Sequence, residues 1–438
     1  MSQSIKKSLI ALTVSSALIA PSAFATNGYF AHGYSTAEKG LAGAGAAHSS
    51  DSLASATNPA GLVKVGSRFD VGAAIFNPNR QYTADTPAGT PLPGGAPPFP
   101  LTPGTYESAH DYFLIPHIGY SSMIDGTSAW GIAAYGNGGM NTDYQTVSNP
   151  NGTTGTFYAG NAGVNLAQLF INLSYSMQIN NDHAFGASLI MAYQMFRASG
   201  LGSFASFSTN AAALSDNGDD SSLGFGAKLG WQGDVSDVLT LGVSYQSKIA
   251  MSEFDKYAGL FAEGGDFDIP ATATVGLAWK TSKSSTLVFD IQQIYYSDVA
   301  ALGNSVEGLF ACGGGDASQC LGGANGAGFG WDDMTIYKLG YEWGNDVVWR
   351  VGVSNGKQPI PDGTTGSQTM FNILTPAVVE TAITAGFTMP LSPDSELAFA
   401  AMYAPSKTVT GSTQFDNQQT VALEMDQFEI QGTYTMKF

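Results

Sequence analysis

Gly352-Val353-Ser354-Asn355-Gly356 fits G-x-S-x-G, the turn that presents a nucleophilic serine at the end of a strand and requires a histidine later in the chain. The last histidine is His183, well before that serine, so this hydrolase order is excluded. The pattern reads more simply as a strand running into a glycine turn. Another enzyme architecture would have to recruit an earlier histidine, and no spacing pairs a particular serine with His110, His117 or His183. Asp216-Asn217-Gly218-Asp219-Asp220 lacks the ligand spacing and closing glutamate of a calcium loop and reads as a solvated turn. Cys312 and Cys320 are separated by Gly-Gly-Gly-Asp-Ala-Ser-Gln; in an oxidising compartment such a pair favours a small disulfide over a metal centre, which wants about four ligands. No metal or cofactor motif stands out, and arginine is confined to Arg68, Arg80, Arg197 and Arg350.

The elements that must position these residues follow from composition. Only 12% of the 438 residues are charged, about half the share of a soluble globular protein, so a large soluble surface cannot be built from them. Glycine contributes 54 residues, Phe and Tyr number 25 and 19, and mean hydropathy is +0.01. That makeup suits short alternating strands with polar loops and is too polar for a helical membrane protein. A net charge of -18 argues against nucleic acid, whose recognition needs a basic face. Residues 1–25 have the parts of a secretory signal: Lys6 and Lys7, an apolar run from Leu9 to Ala20, and Ala23-Phe24-Ala25 as a small-x-small cleavage site. The apolar run falls short of the ~20 residues a membrane helix takes. No later stretch is apolar enough to cross as a helix, so a mature chain that crosses a bilayer must do so as a closed barrel, where every backbone polar group finds an internal partner.

Phe428, Ile430, Gly432, Tyr434, Met436 and Phe438 alternate with Gln427, Glu429, Gln431, Thr433, Thr435 and Lys437, one set suited to lipid and the other to water. The chain ends on that strand with an aromatic residue, the kind of terminal signal that the barrel assembly machinery of bacterial outer membranes reads. The same alternation upstream predicts about 14 strands, beginning near residues 67, 108, 128, 163, 183, 221, 238, 267, 285, 332, 347, 377, 395 and 423. Connections near 125–126, 180–182, 233–234, 281–284, 344–346 and 390–394 are short, whereas 77–107, 140–162, 200–220, 255–266, 298–331, 357–376 and 411–422 are long. Strict alternation of short and long fits periplasmic turns and extracellular loops.

Residues 26–66 lack the two-residue period, are rich in small side chains over Gly40–Ala47, and carry Tyr29, Phe30 and Tyr34. A plug inside the lumen is the preferred reading. The expected organisation is a signal peptide over 1–25, a hatch over 26–66 and an all-β transmembrane barrel over 67–438. Assigning the lipid-facing register strand by strand leaves apolar Phe170, Ile190, Phe196, Val288, Ile294, Tyr296, Met334, Ile336 and Met402 pointing inward. A water-filled lumen would be polar. Each methylene removed from water is worth ~0.8 kcal/mol, so an apolar lumen favours hydrophobic cargo. Arg197, beside Phe196, is read either as the partner of a cargo carboxylate or as a girdle residue on lipopolysaccharide phosphate.

Thr26-Asn27-Gly28-Tyr29-Phe30-Ala31-His32-Gly33, the Gly40–Ala47 run and Ala56-Thr57-Asn58-Pro59-Ala60-Gly61 resemble the N-terminal hatch of the FadL/TodX family of outer-membrane transporters. Phe267-Asp268-Ile269-Pro270-Ala271-Thr272, Trp331-Asp332-Asp333-Met334-Thr335 and Trp349-Arg350-Val351-Gly352, followed by Pro359 and Pro361, extend the resemblance over most of the mature chain. The resemblance implies a 14-stranded barrel, a plugging hatch and a third strand that turns inward to open a hole in the wall. It implies import of long-chain fatty acids or aromatic hydrocarbons with lateral release into the outer membrane. Gly136, Gly138 and Gly139 are then candidates for the bend, and Asn58, Pro59 and Ala60 for holding the hatch beside it.

The expectation is a monomeric, non-enzymatic outer-membrane barrel that passively imports hydrophobic compounds, long-chain fatty acids first and aromatic hydrocarbons or alkanes as the alternative. The loops 87–103, 140–162 and 200–220 would shape its entrance. A surface adhesin or phage receptor, in which only the loops matter, and a barrel lipase are the rivals.

Overall fold

A computed structural model describes residues 27–87, 89, 99–145, 147–363 and 367–438; the expected signal peptide, Thr26, and residues 88 and 90–98 of the proline-rich first loop lie outside the described residues. Sixteen strands form one antiparallel sheet: β1 (Arg68–Ala84), β2 (Gly104–Glu107), β3 (Phe113–Met123), β4 (Ser128–Tyr144), β5 (Ala162–Gln178), β6 (His183–Ser199), β7 (Asp220–Ser236), β8 (Leu239–Gln246), β9 (Ala250–Met251), β10 (Thr272–Ser282), β11 (Ser285–Ile294), β12 (Met334–Gly344), β13 (Val348–Gly356), β14 (Thr381–Ser392), β15 (Ser395–Thr413) and β16 (Asp416–Lys437). Fourteen make the wall. The other two are short additions, β2 on the upper part of β1 and β9 on β7. β16 pairs with β1 from Arg68↔Lys437 to Ala84↔Val421, which closes the barrel and removes both sheet edges.

Alternation sorts side chains as the membrane requires. Ile75, Leu173, Leu189, Leu229, Ile383 and Ile430 are exposed on the outer face, while their strand neighbours point in and are buried. Six connections of two to four residues, such as 179–182 and 393–394, gather at the end where β1 begins and β16 finishes.

Several expectations need correction. The 411–422 stretch is a tight hairpin, with β15 and β16 joined only by Gln414 and Phe415, so strict alternation of short and long connections fails there. Above the lipid belt the outer face is polar and the inner face apolar, as in Val409, Val421 and Leu423 inside against Thr408, Thr420 and Glu424 outside, and a search for lipid-facing residues misses such strands. β1 and β4 run on to Ala84 and Tyr144 for the same reason. β3, β10, β12 and β14 begin two to five residues later than the spacing predicts, at Phe113, Thr272, Met334 and Thr381.

Residues 27–66 fill the short-turn half of the lumen and are stitched to it by polar contacts. Lys39 pairs with Glu429. Asp290 accepts the Gly45 and Ala46 amides at 2.8 and 2.9 Å. Asp70, held by Arg68, accepts the Ser52 amide at 3.0 Å, and Gln232 donates to the Ala46 carbonyl at 3.0 Å. The lumen at this depth is lined by charged and amide side chains that find their partners on the hatch, as buried polar groups must.

Candidate functional site

The third wall strand, β4, behaves unlike its neighbours. Gly136 and Gly138 pair with consecutive residues of β5, Leu169 and Gln168, so Asn137 is an extra residue, a bulge. Asn137 to Met140 are buried in succession, without the alternation that a regular wall strand keeps. On its other side β4 pairs with β3 only as far as His117↔Tyr135, and contact resumes where the Ala109 amide donates to the Asp143 carbonyl at 2.9 Å. Among the described residues, 136–142 have no β3 ladder partner, and on that side only the hatch bridges β4, Phe30 lying opposite Gly138. This is a window in the wall. The glycines therefore do not end the strand; they carry it past the gap.

The hatch reaches that window through its first described residues. The Gly139 amide donates to the Tyr29 carbonyl at 3.0 Å and the Ala31 amide to the Asn137 carbonyl at 2.8 Å. Gly138 has to be glycine here, because a Cβ would lie 2.1 Å from the Tyr29 oxygen. Asn58, Pro59 and Ala60 hold the hatch elsewhere, which corrects their expected place beside the gap. Asn58 Nδ2 donates to Ala46 O and Trp231 O at 2.7 and 3.0 Å, its Oδ1 accepts the Ala60 amide, and Ser176 Oγ donates to Ala60 O. A Cβ on Gly186 would lie 2.3 Å from Pro59 C, so the turn seats against β6 and β7.

Two cavities lie in the long-loop half. The outer one, with an empty volume of about 480 Å³, is lined entirely by apolar residues and one glycine, including Phe196, Leu201, Phe204, Phe261, Phe329 and Phe371. The inner one, about 310 Å³, is bordered by Phe76, Pro78, Arg80, Met140, Trp331 and Met425 among others. Phe329 lines the outer cavity and Trp331 the inner, their rings 6.2 Å apart, and Leu374 and Thr375 divide in the same way. Trp331 is fixed by a 2.6 Å bond from Nε1 to Asn372 Oδ1. The disulfide between Cys312 and Cys320 belongs to the loop that supplies Leu321, Ala327 and Phe329 to the outer cavity.

Of the inward residues read from the sequence, Phe196 lines the outer cavity. Phe170, Ile190, Ile294, Met334, Ile336 and Met402 are buried in the same apolar cluster without bordering either cavity. Val288 packs on Leu41 and Ala44 of the hatch. Tyr296 bonds to Asn27 O and accepts the Tyr29 amide, so it too serves the hatch. Arg197 needs correction: its side chain is exposed, 3.7 Å from Asp219, on the face opposite Phe196, and cannot meet cargo in that cavity. Sequence reasoning missed Arg80, Phe204, Phe329, Trp331 and Phe371. Most stand on loops, where strand parity says nothing, though Trp331 lies in the Trp-Asp-Asp-Met-Thr segment and Arg80 is one of four arginines.

The serine of G-x-S-x-G does meet a histidine. Ser354 Oγ lies 2.9 Å from His32 Nε2, a pairing that chain order could not show. Burial, with Lys338 and Lys39 nearby, pulls this imidazole down to about 3, and its Nδ1 has no partner. A base that weak and with no carboxylate to orient it does not resemble a working dyad. The pair ties the hatch to β13.

No curated protein sequence matches. The fold is similar to that of the toluene transporter TodX of Pseudomonas putida (15% identity, 93% of this chain and 99% of that one, TM-score 0.65). It is similar also to a FadL homologue of Pseudomonas aeruginosa (15%, 93% and 99%, 0.65) and to the toluene transporter TbuX of Ralstonia pickettii (16%, 93% and 99%, 0.62). The family model described as outer membrane protein transport protein (OMPP1/FadL/TodX) matches residues 16–437, and the chain belongs to that family of outer-membrane channels for hydrophobic compounds.

Proposed function

We propose that this barrel imports uncharged hydrophobic molecules, aromatic hydrocarbons or alkanes, which enter the outer cavity from the long-loop side, pass Trp331 and leave sideways through the window beside β4. The observation that carries this reading is the outer cavity itself, whose lining among the described residues contains no charged side chain. A six-carbon hydrocarbon entering it gains roughly 5 kcal/mol at ~0.8 kcal/mol per carbon, whereas a carboxylate there would be buried without a partner. The lateral route is supported by the missing ladder along 136–142 and by a hatch that fills the lumen below. Import of long-chain fatty acids stays as the second reading, because Arg80 borders the inner cavity and its Nε has no partner among the described residues. The barrel acts as a monomer without catalysis, set in outer-membrane lipid and lipopolysaccharide.

Uptake of radiolabelled toluene and of a radiolabelled long-chain fatty acid by cells making the wild-type barrel separates the two. Phe204→Asp, which places a charge in the outer cavity, should lower toluene uptake by about tenfold or more at equal barrel abundance. Toluene uptake no greater than in cells lacking the barrel would remove the hydrocarbon reading.

A further inference from the structure

Arg80 is the residue common to the inner cavity and to a polar groove on the outside of the wall, bordered by Asn79, Gln81, Glu107, Ser108, Asp111, Glu424 and Asp426. It stands on β1 with its side chain directed inward, buried to 4% exposure, and its guanidinium lies in the window. Nη1 donates to the Asn141 carbonyl at 2.6 Å, on the β4 side. Nη2 donates to the His110 carbonyl at 2.7 Å and to Asp111 Oδ1 at 3.3 Å, in the segment leading to β3. The group also sits over the Phe113 ring, 5.7 Å from its centroid. Where the β3–β4 ladder is missing, one side chain spans from edge to edge.

The backbone accounts for why it is there. A strand that leaves its partner frees N–H and C=O groups that need other partners when buried. The hatch takes Asn137 O and Gly139 N, and Arg80 takes Asn141 O. Among the described residues Nε has no partner, and the guanidinium's hydrogen bonds come from its two outer nitrogens.

We propose that Arg80 is the latch of the lateral window: its bonds to Asn141 and His110 keep the inner cavity apart from the groove outside the wall, and their release joins the two. The proposal rests on the lateral-release reading and names the positioning residue that controls it. Arg80→Met keeps the length and bulk of the side chain while removing every donor. Arg80→Lys keeps the charge but cannot reach both edges at once.

The test uses the whole barrel in lipid vesicles, with Met140→Cys in the inner cavity carrying an environment-sensitive fluorophore and lipid nitroxide-labelled at the headgroup, level with the groove, as quencher. Toluene uptake by cells is measured for the same variants. Quenching should rise about tenfold or more for Arg80→Met, the factor that loss of one charge-assisted hydrogen bond carries, and by less for Arg80→Lys. Unchanged quenching in a well-assembled Arg80→Met barrel overturns the latch. Equal rises in both variants also overturn it, since the bridging geometry would then not matter. Raised quenching with unaltered toluene uptake upholds the latch and removes lateral release as the route of import.

Discussion

Replacing Gly138 with alanine should detach the first described segment of the hatch from the window. The new Cβ would stand 2.1 Å from Tyr29 O and 3.0 Å from Tyr29 C, backbone atoms that cannot rotate away. A carbon–oxygen contact wants about 3.3 Å, so the segment must retreat by more than 1 Å. That retreat breaks the Gly139–Tyr29 and Ala31–Asn137 backbone bonds, worth about 1 kcal/mol each. It also disturbs the Tyr29–Tyr296 and Phe30–Tyr296 ring contacts at 5.6 and 6.0 Å, at about 0.5 to 1 kcal/mol apiece. A loss of roughly 3 to 4 kcal/mol multiplies the population of the detached state by about 100- to 1000-fold. Hydrogen exchange of the barrel in detergent reads this at the amides of Ala31 and Gly139, which should lose protection by that factor. Gly126→Ala, where a Cβ meets nothing within 4 Å, serves as the control. Retained protection at both amides in a folded Gly138→Ala barrel would show that the hatch does not depend on the missing side chain, and the reasoning from close approach would fail.

Burial, reinforced by the neighbouring Asp268 carboxylate, raises Asp266 to about 7, so the loop before β10 binds this proton more tightly than the unfolded chain does. The resulting stability is complete below about pH 4 and is lost as pH rises through about 7, with Glu263 adding to the repulsion and Lys248, 2.7 Å from Asp268, opposing it. Amide protection over 252–271 should therefore fall between about pH 5 and about pH 8 and become flat in Asp266→Asn; a slope that survives the substitution assigns it to another group. Phe438→Ala removes a terminal ring stacked 5.7 Å from Tyr120 and should reduce assembly in cells while leaving refolding in detergent largely intact. Wild-type amounts of heat-modifiable barrel in cells would count against a role for that ring in assembly.

The wall was legible wherever one face of a strand meets lipid. Leu173, Tyr175 and Met177 alternate with Asn172, Ser174 and Ser176, and nothing else is needed to set that strand in a membrane. Above the lipid the sense of the pattern inverts, which is why the ends of β1, β15 and β16 read as loops. Parity could also have settled Arg197: if Phe196 faces in, the next residue faces out. The hatch offered composition without register. Lys39 and Glu429 are 390 positions apart, and no local period announces that one will neutralise the other. The outer cavity was hidden for a related reason, since Phe204, Phe329 and Phe371 come from three separate loops and share no spacing.

The polar and apolar halves of the lumen explain one another. Charged residues such as Asp70, Asp290, Lys338 and Glu429 would be costly against lipid tails or hydrocarbon cargo, and they lie where the hatch supplies amides, a carbonyl and a counter-charge. An apolar half without a plug beneath it would open onto the short-turn side and lose its exclusion of water. The window belongs to the same arrangement, because on the proposed route cargo blocked below departs through the wall. Tyr29 connects the parts: its carbonyl satisfies Gly139 at the window, its amide donates to Tyr296, and its ring lies 6.1 Å from Trp331, which borders the inner cavity. One short segment of hatch thus supports the cavity and completes the strand at the window, so displacing it would disturb both at once.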